Sequence, residues 1–146
     1  MKVDFYHLTR QPLDRVLPQI AEKVLAAGDR LLIVVADEAE RTRLDRLLWS
    51  YTPDSFLPHA QAGAGDGKAQ PILLAGEIDA ANGARQIALA DGTWRPDALD
   101  FDRVFHFFDD ERIADARAAW RWLADREGVE RRYWKHNDQG RWEQLQ

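Results

Sequence analysis

The segment of this chain that most resembles a chemical motif is the glycine-rich stretch 63–68, with the sequence GAGDGK. A phosphate-binding loop of the Walker type requires Gly, four residues and then Gly-Lys-Ser/Thr. Ala62 stands where its first glycine is needed, and Ala69 stands where its hydroxyl residue is needed. The dinucleotide pattern also fails, because the spacing of its third glycine is wrong and a predicted strand follows instead of a helix. A role as a small nucleotide-binding or nucleotide-processing domain is therefore kept only as a second hypothesis, the alternative to the function developed below.

The histidines and serines form no recognisable catalytic or metal-binding arrangement. The four histidines are His7, His59, His106 and His136, and they do not have metal-binding spacing. Ser50 and Ser55 lack the G-x-S-x-G context of a nucleophile elbow. We therefore expect no catalytic residue, no bound metal and no cofactor in this chain.

Composition restricts the class of protein further. A length of 146 residues fits a single domain, 1–146. The absence of cysteine excludes disulfides, Cys-ligated zinc and thiol catalysis, and it suits a reducing cytosol. A formal net charge of −5 argues against direct binding to duplex DNA or to an anionic membrane. No apolar run approaches the roughly 20 residues that span a bilayer.

A basic and aromatic pattern near the C-terminus is the best candidate for a binding site. Arg117, Trp120 and Arg121 have the spacing i, i+3, i+4, which makes them neighbours on a helix surface. A cationic edge beside an aromatic ring can receive an acidic peptide with an apolar end. Spacing alone favours a plainer interpretation, in which Trp120 fills the core and the arginines pair with Asp115 or Asp125.

Other aromatic residues also lie away from the expected core faces. Trp49 falls about 140° around its helix from Leu44, so it either packs under the following loop or belongs to an exposed interaction patch. Phe56, in a stretch stiffened by two prolines, is held at the surface or plugs the core. Trp122 falls opposite an apolar stripe on the last helix. The members of that stripe are Ile113, Ala116, Trp120, Leu123 and Ala124.

The elements that must position these residues follow from the hydrophobic pattern. We predict strands at 3–8, 31–36, 72–75, 86–90 and 104–108. We predict helices at 14–27, from 37 to the proline at 53, and at 109–127. A loop is predicted at 59–71. The run LLIVVA at 31–36 is apolar throughout, which is typical of a strand covered on both faces in a parallel sheet. The tail 129–146 is either a hairpin around 137–140 or an extended segment.

Strands that alternate with helices indicate a three-layer α/β fold with a largely parallel sheet. Ligands of such folds usually bind at the carboxyl ends of the strands, near a switch point of the topology. This placement is a property of the fold and assigns no function by itself.

Several motifs, in order, resemble one known family over essentially the whole chain. They are a first strand at 3–7 (VDFYH), the pair 44–49 (LDRLLW) and 54–59 (DSFLPH), the late helix motif 116–121 (ARAAWR), and the dipeptide at 133–134 (YW). The glycine-rich loop and a proline before the third strand add to the match. The sequence is similar to the chi subunit family of the bacterial DNA polymerase III holoenzyme.

The resemblance implies a Rossmann-like fold in a non-catalytic accessory subunit of the clamp-loader assembly of a DNA-directed DNA polymerase, in the bacterial cytoplasm at the replisome. It implies binding to the disordered acidic tail, ending in phenylalanine, of the single-stranded DNA-binding protein. Arg117, Trp120 and Arg121 match the positions that line the pocket for that tail, with Arg117 as principal contact. Trp49 and Phe56 match positions that meet the psi subunit and, in some members, a helicase-like partner.

One position departs from the family pattern. Ile113 stands one turn before Arg117, where the family can have a basic residue. We therefore expect a smaller basic patch here than the family pattern alone implies.

Overall fold

The computed structural model describes residues 1–9, 12–51, 57–63 and 69–146. Its eight strands are β1 (Lys2–His7), β2 (Leu31–Val34), β3 (His59–Gln61), β4 (Ile72–Ala75), β5 (Gln86–Leu89), β6 (Arg103–Phe108), β7 (Glu130–His136) and β8 (Trp142–Gln144). Its α-helices are α1 (Leu13–Ala26), α2 (Glu38–Ser50) and α3 (Ile113–Leu123). Two short 3-10 helices, Pro96–Asp100 and Asp110–Arg112, flank β6.

The strands form one sheet in the order β3-β4-β2-β5-β6-β1-β7-β8. Every pairing is parallel except that of β7 with β8, which is the predicted C-terminal hairpin. Strand β2 lies inside the parallel sheet and is buried on both faces, which explains its continuous apolar run. The predicted α/β class with a largely parallel sheet is confirmed.

The helices divide between the two faces of the sheet, and each face has its own core. Val16 of α1 and Leu44 of α2 pack in one core with Tyr6 of β1. Ala116 of α3 packs in the other core with Phe5. Because side chains alternate along a strand, neighbouring residues of β1 serve opposite cores. The sheet thus separates the surface carried by α3 from the surface carried by α2.

Two predicted segments, the loop at 59–71 and the helix at 109–127, need correction. Residues 59–61 form β3 rather than part of a loop, because His59 is buried and its strand pairs with β4. These three residues, His-Ala-Gln, are too few to give a hydrophobic period. The predicted helix 109–127 is shorter, since 110–112 are a 3-10 turn capped by Asp109 and α3 ends at Leu123.

A buried carboxylate ties three adjacent strands together. Asp4 of β1 has no solvent exposure and binds Arg103 Nη2 of β6 at 2.9 Å and Arg132 Nε of β7 at 2.7 Å. The indole Nε1 of Trp134 donates to the same carboxylate at 3.0 Å. Burial alone would raise the pKa of Asp4, but the hydrogen bonds from Arg132 and Trp134 and the charge of Arg103 hold it below the ordinary 3.8.

We expect Asp4→Asn to destabilise the protein by about 3 kcal/mol at pH 7, because two arginines then lose a fully buried counter-charge. Chemical denaturation measures this loss. Since the folded-state pKa is lowered, the stabilisation is complete above the unfolded value and disappears as the pH falls through the folded pKa. The two proteins should therefore converge in acid. Asp102→Asn, in the exposed pair with Arg85, is the control and should change little; equal effects of both variants would contradict this.

The imidazole of His106 gives a second acid-sensitive position. It lies in β6 with no solvent exposure, 5.1 Å from the ring of Phe5, and neither ring nitrogen has a hydrogen-bond partner among the described residues. Burial lowers the pKa of His106 to about 4. The folded protein therefore carries this histidine uncharged at neutral pH.

Stability should fall by about 2 kcal/mol between pH 7 and pH 5 through His106 alone, because the unfolded chain takes up a proton there and the folded chain does not. Chemical denaturation of the wild type and of His106→Leu at both pH values measures this loss. The difference between the two proteins gives the contribution of His106, because the contributions of the other histidines cancel. The same pH dependence in both proteins would show that His106 does not carry it.

Candidate functional site

The outer surface of α3 holds the two predicted arginines. Ala116, Ala119 and Leu123 turn one side of the helix into the core, which leaves Arg117 and Arg121 exposed one turn apart. Among the described residues neither arginine forms an ion pair. The plainer interpretation placed Asp115 beside them, but Asp115 binds Arg112 at 3.1 Å. Two cationic groups therefore remain available on this flank.

The predicted apolar stripe of α3 needs one correction. Ala124 is exposed, and the helix ends one residue before it, at Leu123. Ala119, absent from the predicted stripe, is buried in its place. Ile113 is half-buried and adds no charge, so the cationic groups of the flank are Arg117 and Arg121.

Trp120 both fills part of the core and lies at the surface of the candidate site, the two roles that its spacing left open. Its indole packs edge-on against Phe5 with ring centroids 5.4 Å apart, so one side belongs to the core. A second edge-on contact, at 5.9 Å, joins it to Tyr133 of β7. The residue is half-buried, and part of the ring remains at the surface beside the two arginines.

Arg131 belongs to this site and was missed by the sequence interpretation. Its guanidinium lies 4.3 Å from the centroid of the Trp120 ring, and its Nη1 donates to the Trp120 carbonyl oxygen at 2.6 Å. Stacking and hydrogen bonding together fix the indole at the end of α3. The only sequence signal was the basic and aromatic run at 131–134, which spacing could not connect to the helix.

Tyr133 completes the group, which we call the α3 site: Arg117, Trp120, Arg121, Arg131 and Tyr133. Burial raises the pKa of the Tyr133 phenol, while the nearby charge of Arg117 opposes that shift and the charge of Asp110 adds to it. The charge of Arg117 therefore acts at the phenol. The α3 site offers guanidinium donors around two partly apolar rings, which suits an anionic ligand with an aromatic end.

The second predicted surface lies on the opposite face of the sheet. Trp49 of α2 is 57% exposed, and its ring contacts His59 with centroids 4.7 Å apart. The indole thus projects from the helix whose residues Leu44 and Leu48 fill the core. Phe56, its predicted companion, lies outside the described residues.

Trp122 occupies the other flank of α3. It is 37% exposed and lies 6.3 Å from the ring of Trp94, with the Arg126 guanidinium stacked 4.0 Å above it. The α3 site therefore includes Trp120 but not Trp122. The structure brings neither Trp122 nor Trp49 to the predicted arginines.

The carboxyl ends of β1, β5 and β6 border a cavity of about 430 Å³. It is the switch point of the sheet, because the helices after the neighbouring strands β1 and β6 cover opposite faces. Its walls carry Asp14, Glu40, Asp91, Asp109 and Glu111, with Arg43 and Arg112. Arg43 already binds both Asp14 and Glu40. The cavity is thus more acidic than basic.

Two backbone N–H groups beside this cavity donate to the protein's own carboxylates. Asp37 accepts from the Glu40 N–H at 3.0 Å, and Asp91 accepts from the Ala36 N–H at 3.0 Å. Such N–H groups are the usual donors to a nucleotide phosphate. Residues 64–68 of the glycine-rich stretch lie outside the described residues. Within the described part of the chain, no group of three or more metal-ligating side chains occurs, and no helix is long and apolar enough to cross a membrane.

Comparison with known proteins agrees with the family resemblance. Residues 1–130 match the family described as DNA polymerase III chi subunit, HolC. DNA polymerase III subunit chi of Escherichia coli (strain K12) is 30% identical over 93 residues, which cover 64% of this chain and 61% of that protein. The Pseudomonas aeruginosa subunit is 38% identical over 79 residues, covering 52% of this chain and 55% of that protein. Each match thus spans less than two thirds of the relative. The chain belongs to the DNA polymerase III chi subunit family.

Proposed function

We propose that this chain is a non-catalytic accessory subunit that links the clamp-loader assembly of DNA polymerase III to the single-stranded DNA-binding protein. The observation that carries the proposal is the pair of exposed arginines, Arg117 and Arg121, beside the half-buried ring of Trp120. The link is made through the acidic C-terminal tail of the binding protein, at the replisome in the bacterial cytoplasm.

The chemistry of the α3 site supports such a ligand. The carboxylates of an acidic tail accept hydrogen bonds from Arg117 and Arg121, and a guanidinium can hold a carboxylate with two parallel bonds. A terminal phenylalanine ring packs on the exposed parts of Trp120 and Tyr133. Arg131, already stacked on Trp120, holds that ring ready before the ligand arrives.

The net charge supports contact with DNA through another protein. At −5, the chain as a whole repels the phosphate backbone, so we propose no direct binding to duplex DNA. A small cationic site on an otherwise acidic protein can still select an acidic peptide.

A second surface, around Trp49 and Phe56, is proposed to meet the psi subunit, and through it the clamp loader, or a helicase-like protein. The exposure of Trp49 supports this, since large exposed aromatic rings are enriched at protein interfaces. Because α2 and α3 cover opposite faces of the sheet, both partners can bind at the same time.

The alternative, a nucleotide-binding or nucleotide-processing domain, would use the cavity at the carboxyl ends of the strands. The carboxylates that line that cavity repel phosphate groups, and Asp37 and Asp91 occupy backbone donors beside it. These observations favour the adaptor, and we propose no catalytic residue in this chain.

An acidic peptide that ends in phenylalanine should bind the wild type in a calorimetric titration. Arg117→Ala should lower the affinity about tenfold or more, which corresponds to about 1.4 kcal/mol of binding free energy. Arg121→Ala should weaken it less. Higher salt should weaken wild-type binding, because the attraction is between exposed charges. Arg15→Ala removes an exposed arginine on the other face of the sheet and serves as control. Absence of binding, or equal affinity of Arg117→Ala and Arg15→Ala, would contradict the proposed site.

Trp49→Ala should abolish or strongly reduce assembly with a purified psi subunit while leaving peptide affinity unchanged, because it truncates the exposed ring on the opposite face. Size-exclusion chromatography of the mixed proteins measures assembly. Trp122→Ala is the matched control, since it also removes an exposed indole. If Trp122→Ala disrupts assembly and Trp49→Ala does not, the partner surface lies on α3 instead.

A further inference from the structure

The turn at 80–83, which leads into β5, is held to its neighbours by the side chain of Asn82. That residue is only 3% exposed. Its amide nitrogen lies 3.1 Å from the carbonyl oxygen of Gln70 and 3.4 Å from the carbonyl oxygens of Pro71 and Leu31. These three residues lie at or just before the amino ends of β4 and β2. One amide group therefore links the starts of three adjacent strands, β4, β2 and β5.

An amide suits this position and a carboxylate does not. The amide nitrogen donates to carbonyl oxygens, while the amide oxygen accepts from the backbone N–H of Ala84 at 3.2 Å. An ionised carboxylate only accepts hydrogen bonds. One of its oxygens would face the carbonyl oxygens of Gln70, Pro71 and Leu31 with no proton between them. A buried charge beside these acceptors is costly, so an aspartate in place of Asn82 would break the link.

Asn82 precedes a glycine, which makes it the asparagine of this chain that deamidates most readily. The other asparagine, Asn137, precedes an aspartate. In deamidation the backbone nitrogen of the next residue attacks the side-chain carbon Cγ, and glycine has no side chain to hinder that approach. A bond forms between this nitrogen and Cγ, the bond from Cγ to Nδ2 breaks, and Nδ2 leaves as ammonia with the backbone proton. Water then opens the cyclic imide to aspartate or isoaspartate.

The fold opposes this reaction at Asn82. The N–H of Gly83 donates to the Ala80 carbonyl oxygen at 2.9 Å, so the attacking nitrogen holds its proton in a hydrogen bond. Nη1 of Arg30 donates to the backbone carbonyl oxygen of Asn82 at 3.0 Å, which fixes the backbone of the turn as well. Loss of ammonia also breaks every hydrogen bond that Nδ2 makes. The reaction therefore requires the turn to open first.

We infer that Asn82–Gly83 is a deamidation site that the fold keeps unreactive, and that its conversion to aspartate or isoaspartate releases the amino ends of β2 and β4 from the turn before β5. The change is one-way, because the ammonia is lost. Its rate depends on how often this end of the sheet opens. The inference is independent of the proposed function, since it concerns neither the α3 site nor the surface around Trp49.

The reaction rate in the folded and the unfolded chain tests the protection. The full chain is incubated at mildly alkaline pH with and without guanidinium chloride, and peptide mapping by mass spectrometry measures aspartate and isoaspartate at positions 82 and 137. Deamidation of Asn82 should be at least about tenfold slower in the folded protein. In denaturant Asn82 should react faster than Asn137. Equal rates in the two conditions, or no reaction at Asn82 in denaturant, would overturn the inference.

Two matched substitutions test the structural consequence. Asn82→Asp should lower the melting temperature by about 5 °C or more, because a buried amide donor is replaced by an acceptor. It should also speed hydrogen exchange of the Leu31 N–H, which donates to the Pro71 carbonyl oxygen at 2.8 Å. Differential scanning calorimetry and exchange followed by mass spectrometry give the two readouts.

Asn137→Asp is the control. The Asn137 side-chain oxygen accepts from two backbone N–H groups of its own turn, both at 3.0 Å, and a carboxylate can accept in the same way. This variant should melt close to the wild type. Equal melting temperatures of the two variants would show that deamidation does not release the strands. If Asn82→Asp does not fold, wild type that has deamidated during incubation, separated by ion exchange, provides the same comparison.

Discussion

The buried carboxylate of Asp4 is the interaction on which the candidate site depends. It binds arginines from the strands on both sides of β1, and it also accepts the indole N–H of Trp134. A buried charge with a single missing partner is costly, so strand β7 is held in one register against β1. That register carries Arg131 and Tyr133 to α3, because alternate residues of β7 face opposite sides of the sheet. The ion cluster lies on one face of the sheet, and it positions Arg131 and Tyr133 of the candidate site on the other.

The distribution of arginines explains why a chain of net negative charge can still offer a cationic site. Arg103 and Arg132 are bound to Asp4, and Arg43 is bound to Asp14 and Glu40. In the same way carboxylates cap the helix and turn N-termini, where other α/β proteins hold phosphate groups. The arginines on the outer flank of α3 have no such pairing within the described chain. The site is therefore defined by which charges the fold leaves unpaired.

Helical spacing was enough to predict Arg117 and Arg121 as exposed neighbours, because side chains three and four residues apart always share a helix face. It was not enough for Trp120, whose direction lies at the border between core and surface. Arg131 and Tyr133 could not be predicted at all, since only the pairing of β7 with β1 brings them to α3. The strand at 59–61 was missed for a similar reason, because its pairing with β4 rather than its composition makes it a strand.

By itself the sequence determined the alternation of helices and strands, the parallel sheet and the cationic edge of α3, since each depends on local periodicity and on burial of apolar runs. It also carried the motifs that resemble the chi family. The tertiary structure alone decided which charges are paired and which side of Trp120 is covered. It also decided that His7 of β1 contacts Tyr133 of β7, a residue 126 positions away in the chain. These features depend on strand order and register, which arise from long-range pairing and have no local signal.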